Sequence, residues 1–167
     1  GVSPDHSFSQ TSFEDTAGDG AEATQERTLA LVRTSPTTGY YVDVFRSKSA
    51  LPNEYHDFLY HNIADVLQIE NVDIKLAHTP LRYKANANLE WTRGAYRNPG
   101  WHFFEAVKTS QVYDKTVKAT FRTQQLATGA AAMQLHIPGF EGRTYTTVQA
   151  PHTFQAPAPY NTLPTPT

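Results

Sequence analysis

Residues 117–137, VKATFRTQQLATGAAAMQLHI, decide the fold class of this chain. In 117–123, Val117, Ala119 and Phe121 alternate with Lys118, Thr120 and Arg122. In 131–137, Ala131, Met133, Leu135 and Ile137 alternate with Ala132, Gln134 and His136. Successive side chains of a strand point to opposite faces, so a period of two predicts one buried and one wet face, as in an antiparallel sheet. The same reading extends outward. Over 101–108, Trp101, Phe103 and Val107 alternate with His102, Phe104 and Lys108, and 143–149 completes that set. Upstream, Leu29 and Leu31 oppose Ala30 and Val32, while Val42 and Val44 alternate with Tyr41, Asp43 and Phe45. Residues 55–63 and 66–76 supply further strand candidates. Strands recurring every 8–15 residues or so predict an all-β fold, an antiparallel β-sandwich of jelly-roll-like kind. No segment carries a long amphipathic helical pattern.

The chain has 167 residues, enough for one domain with a core. Residues 1–26 are polar and read as an irregular N-terminal segment or loop, with Ala17-Gly18-Asp19-Gly20-Ala21 as the loop signal. Residues 27–150 read as the β-sandwich domain, with an irregular stretch over 77–100. Residues 151–167 hold five of the eleven prolines and read as a Pro-rich extended tail. Hydrophobic residues make up 39% and charged residues 18%, a globular rather than a disordered composition.

A net charge of −2 argues against a nucleic-acid binder, which presents a strongly basic face. It leaves room for a local basic patch on an acidic glycan. The absence of cysteine excludes disulfide scaffolds and thiolate zinc sites. No apolar run reaches the ~18 residues of a membrane span. Gly1-Val2-Ser3-Pro4, with no initiating Met, reads as the cut end of a longer polypeptide, with any export signal and any partner domain expected upstream. A bacterial secreted or periplasmic location is expected.

Four constellations carry chemistry. The first lies in 39–63, GYYVDVFRSKSALPNEYHDFLYHNI, which crowds aromatic and imidazole rings around charged groups. On an extended chain His56, Phe58 and Tyr60 share one face, and Asp57, Leu59 and His61 the other. With Tyr55, these side chains suit a cleft or an interface. They could seal a strand edge, touch sugar, or serve as base, acid or metal ligand. The second is Trp91, Arg93, Tyr96 and Arg97 in the irregular stretch, beside Trp101 and His102. Ring planes cover sugar faces, and Arg offers paired donors to carboxylate or sulfate. Trp101 can equally be core. The third is a basic face of Lys118 and Arg122 with Lys108, and a similar pair, Arg46 and Lys48. Such a row could bind a polyanion or simply be solvated. The fourth is Asp5, Glu14, Asp15, Asp19 and Glu22, whose oxygens could hold Ca²⁺ or form a plain acidic loop. Phosphate loops, the G-x-S-x-G elbow and H-E-x-x-H are all missing.

The segment ERTLALVRTSPTTGYYVDVFRSKS followed by EYHDFLYHNI resembles the C-terminal β-sheet region of heparinase II/III-like polysaccharide lyases. WHFFEAVKTS, LHIPGFEGRTYTTVQAP and APAPYNTLPTPT are similar to the end of such a lyase, so the resemblance covers 26–167. It implies a large secreted enzyme with an α-toroid and β-sheet domains that cleaves uronic-acid polysaccharides by β-elimination. This chain is too short and too β-rich for the toroid, so no catalytic residue is transferred, and the metal content is left open. The expectation is a noncatalytic carbohydrate-binding module for an acidic polysaccharide. Family analogy names alginate or a glycosaminoglycan such as chondroitin sulfate. Trp91, Arg93, Tyr96, Arg97, Arg46, Lys48 and Lys118 would contact sugar. The alternative is a lyase fragment, inactive alone, that contributes cleft residues or structural support.

Overall fold

The computed structural model describes residues 3–15, 23–53, 56–62, 64–83, 104–123 and 129–150. Among them there is no helix, and every strand pairing is antiparallel. The all-β antiparallel expectation is met. The chain divides into two compact units, residues 1–60 and 61–167.

The first unit is a meander of β1 (His6–Asp15), β2 (Ala23–Arg33) and β3 (Gly39–Ser49), in that spatial order. β1 is a correction: regular structure occupies ten residues of the segment read as loop, and β2 begins at Ala23 rather than Arg27. β1 is rich in Ser and Thr and was read as polar. A sheet edge tolerates that composition, because its stability comes from the ladder to β2 rather than from burial. The β2–β3 turn closes with Thr34 N–H donating to the Thr38 carbonyl at 3.0 Å. Gly39 is required there, since a Cβ would lie 2.8 Å from the Val32 carbonyl oxygen. No described residue of this unit is fully buried.

The second unit holds two three-stranded sheets. One is β4 (Val66–Ile69), β7 (Val117–Thr123) and β8 (Ala131–Ile137), with β7 in the middle. The other is β5 (Leu76–His78), β6 (Glu105–Ser110) and β9 (Thr146–Gln149), with β6 in the middle. The chain crosses between the two sheets three times, from β4 to β5, from β6 to β7 and from β8 to β9, as in a sandwich. The core sits here: Phe104, Val107, Tyr113, Val117 and Ala119 are buried. Tyr83 meets Phe104 edge-on at 5.8 Å between centroids. Pairing of β6 with β9 slips between Glu105 and Lys108, where Ala106 takes a left-handed φ of 49°. A bulge of this kind bends the strand. The tail read over 151–167 lies outside the described residues.

Candidate functional site

Two surfaces gather chemistry-bearing side chains, one in each unit. In the first unit, residues opposite one another in register share a face. Gln25, Arg27, Leu29 and Leu31 of β2 therefore lie beside Ser47, Phe45, Asp43 and Tyr41 of β3. Residues 56–60 lie over this face. His56 Nδ1 shares a hydrogen bond with Ser47 Oγ, Phe58 packs on Phe45 at 5.2 Å, and the Tyr60 and Tyr41 hydroxyls are hydrogen-bonded. The Arg27 guanidinium sits 5.5 Å from the Phe58 ring and donates twice to Asp43, at 3.0 and 2.6 Å. The alternation read from sequence holds, with His56, Phe58 and Tyr60 all facing the sheet. The expected strand over 55–63 does not form among these residues. Pro52 lacks a donor and Asn53 adopts φ 63°, so the ladder stops and the chain turns onto its own sheet.

Burial, the Tyr60 hydrogen bond and the Asp43 charge hold the Tyr41 hydroxyl well above the ordinary tyrosine range. Near neutral pH Tyr41 can donate a hydrogen bond but is no base. Hydrogen bonding to Asp43 raises the Arg27 guanidinium above its usual value.

The opposite face of the first unit carries Arg46 and Lys48. Arg46 is bonded to Glu26 across the ladder. Lys48 stands opposite Thr24, which in turn stands opposite Glu14. Two cations thus share a face with two carboxylates. Further along the same face lie Tyr40, Val42 and Val44, which are 54%, 45% and 37% exposed.

In the second unit, the outward positions of β4, β7 and β8 form a polar lattice. Val66, Arg122 and Ala132 make one cross-strand row, and Gln68, Thr120 and Gln134 make the next. Glu70, just past β4, lies beside Lys118, which is opposite His136. Glu70 accepts hydrogen bonds from Thr120 Oγ1 and from Gln134 Nε2 at 3.2 Å, and an ion pair from Lys118 Nζ at 3.1 Å. Gln134 Oε1 and His136 Nε2 are 2.9 Å apart. The Thr120 bond and then Lys118 hold the Glu70 carboxyl below its usual range. Arg122 is exposed, and its guanidinium makes no hydrogen bond or ion pair among the described residues.

A second cluster ties the connection after β4 to the one before β7. Asp73 accepts from Tyr113 Oη at 2.6 Å and from Lys115 Nζ at 2.7 Å. Lys115 and then Tyr113 lower the Asp73 carboxyl, and Asp73 raises both partners. Asn71 donates to Tyr113 Oη and to the Thr116 carbonyl, and accepts from the Lys118 amide at 2.9 Å.

The structure thus places the sequence candidates unevenly. Trp91, Arg93, Tyr96, Arg97, Trp101, His102 and Tyr55 lie outside the described residues. Lys118 and Arg122 do share a face, but Lys108 is on β6 of the other sheet. There it lines a cleft of about 520 Å³ with Leu67, Ile69, Ile74 and Leu76. His61, the first residue of the second unit, is exposed. Of the proposed Ca²⁺ ligands, Asp5 and Glu14 are about 30 Å apart, separated by nine residues of extended chain, while Asp19 and Glu22 lie outside the described residues. No group of three or more metal-ligating side chains gathers among the described residues. Glu70, Gln134, His136 and Gln68 were not singled out from sequence. The alternation of β7 and β8 carries Gln134 and His136, while Gln68 and Glu70 join them only through the pairing of β4 with β7.

The chain is 39% identical over 143 residues to an endo-acting ulvan lyase of Formosa agariphila. It is related to a small part of a polysaccharide lyase. The alignment covers 84% of this chain and 16% of that lyase. No protein-family profile matches the chain, and no solved structure matches it.

Proposed function

We propose that this chain is a noncatalytic β-sandwich module that binds an acidic polysaccharide on behalf of a lyase. The observation that carries the reading is the alignment itself, in which an all-β chain matches only a small share of a much longer ulvan lyase. A lyase acting on a polymer gains from a separate module that holds the chain near the cleft, because a tethered second contact is effectively intramolecular. Tyr41, whose hydroxyl is raised and bonded to Tyr60, fits a binding or structural role. A secreted bacterial protein with a catalytic domain in the same polypeptide fits this reading, and so does the finer kinship to heparinase II/III-like lyases. Ulvan is the first ligand to try, ahead of alginate and chondroitin sulfate. Trp91, Arg93, Tyr96 and Arg97 stay with this proposal as sugar contacts.

Affinity electrophoresis of the 167-residue chain tests it. The gel panel holds ulvan, alginate, chondroitin sulfate, hyaluronan, heparin and a neutral glucan, at low and high salt. The expected result is retardation by at least one acidic polymer, weakened by salt, with no unsaturated product released. Retardation by none of them would overturn the binding reading.

A second reading, structural support for a neighbouring domain, has one observation in its favour. Tyr40, Val42 and Val44 form an exposed apolar row on a sheet that has no buried described residue. Concentration-dependent self-association in sedimentation, without glycan affinity, is the result that would favour it.

A further inference from the structure

We propose that the outer face of the β4–β7–β8 sheet is the surface that receives the polysaccharide, with Arg122 taking an anionic group of the sugar. This rests on the binding reading above and adds its location and its anion-reading residue.

Charge separates the two faces that carry basic residues. On the first unit, Arg46 and Lys48 share their face with Glu26 and Glu14, and Arg46 is already bonded to Glu26. That face is balanced, two cations against two carboxylates. On the β4–β7–β8 face, Glu70 neutralises Lys118 at 3.1 Å, but no described residue forms an ion pair with Arg122. Its cross-strand neighbours are Val66 and Ala132, which offer no acid and little bulk. An exposed guanidinium between two small or apolar side chains keeps its fork of donors open to a carboxylate or a sulfate.

The rest of the lattice is arranged to read hydroxyls. Gln134 is fixed at both ends, by Glu70 on its nitrogen and His136 on its oxygen. Thr120 is buried beneath and bonded to Glu70. Held groups lose little freedom when a ligand arrives, so more of each contact appears as affinity. Gln68 and His136 are exposed on either side of the middle strand. They can donate to and accept from sugar hydroxyls while Arg122 anchors the charge.

The test compares Arg122→Ala, Arg122→Lys and Arg46→Ala with the parent chain on gels containing ulvan, chondroitin sulfate or alginate. The Arg122 guanidinium makes no bond among the described residues, so the variants should keep the parent's thermal unfolding. Losing a charge-assisted contact should weaken retention about tenfold for Arg122→Ala. Arg122→Lys should recover part of it, and Arg46→Ala should stay within about twofold of the parent. A loss on chondroitin sulfate alone identifies sulfate as the group read; a loss on alginate as well identifies carboxylate. If the parent is retarded and Arg122→Ala is retarded equally, the face is wrong while the binding reading stands. If the parent itself is not retarded by any of these polymers, both fall.

Discussion

At the scale of single residues, Glu70 and Asp73 decide how the second unit responds to acid. Both carboxyls are lowered from their ordinary values of 4.5 and 3.8, Glu70 first by Thr120 and Asp73 first by Lys115. A carboxyl with a depressed folded value binds its proton more readily in the unfolded chain. Its stabilising share is therefore complete above the ordinary value and is lost as pH falls through the depressed one. The melting temperature should be level from pH 7 to about pH 5 and drop steadily below that. Glu70→Gln keeps the shape of the side chain but removes one of the two titrating groups. Its melting curve should start lower at pH 7 and slope less between pH 5 and pH 3. Circular dichroism melts at half-unit pH steps would show this, and curves parallel to the parent's would mean that Glu70 is not an acid-sensitive tie. The Tyr41 hydroxyl is shifted in the other direction by burial and takes no part in this range.

At the scale of elements, strands were legible wherever alternation was strict. β7 and β8 fall on the predicted residues because Val117, Ala119, Met133, Leu135 and Ile137 are inward and their neighbours are not. β1 was not legible, since Ser7, Ser9, Thr11 and Ser12 give no apolar period and only pairing with β2 makes the strand. The extended run 56–60 carried the right alternation but the wrong element, because alternation reports facing and says nothing of ladder bonds. The site was half legible for the same reason. Lys118 and Arg122 stood out as cations, whereas Glu70 lies past the end of a four-residue strand and joins them only through register. Close backbone contact was equally hidden. Gly139 follows β8, and a Cβ there would lie 2.1 Å from the Asp114 carbonyl oxygen and 2.9 Å from the Lys115 carbonyl carbon. Backbone cannot step aside as a side-chain tip can, so Gly139→Ala should cost on the order of 1–3 kcal/mol. A urea titration measures it, and a midpoint equal to the parent's would mean that the β6–β7 connection yields freely.

At the scale of the whole chain, the net charge and the proposed ligand have the same sign. A molecule of net charge −2 gains nothing from long-range attraction to a polyanion, so any attraction must come from a patch smaller than the screening length. That sets a limit on salt dependence. On the proposed face Lys118 is already paired with Glu70, which leaves Arg122 and one shared cation to displace counterions. With one or two such contacts, raising salt from 0.05 to 0.2 M should weaken binding only roughly threefold to tenfold, by the slope that holds for densely charged polymers. A less densely charged glycan should sit at the low end of that range. Measuring retention at four salt concentrations gives the slope directly. A loss beyond a hundredfold would require more cations than this face offers and would move the contact to other basic residues, Arg93 and Arg97 among them. A retention that ignores salt would point to stacking on neutral sugar faces, and the charge argument for Arg122 would fail with it.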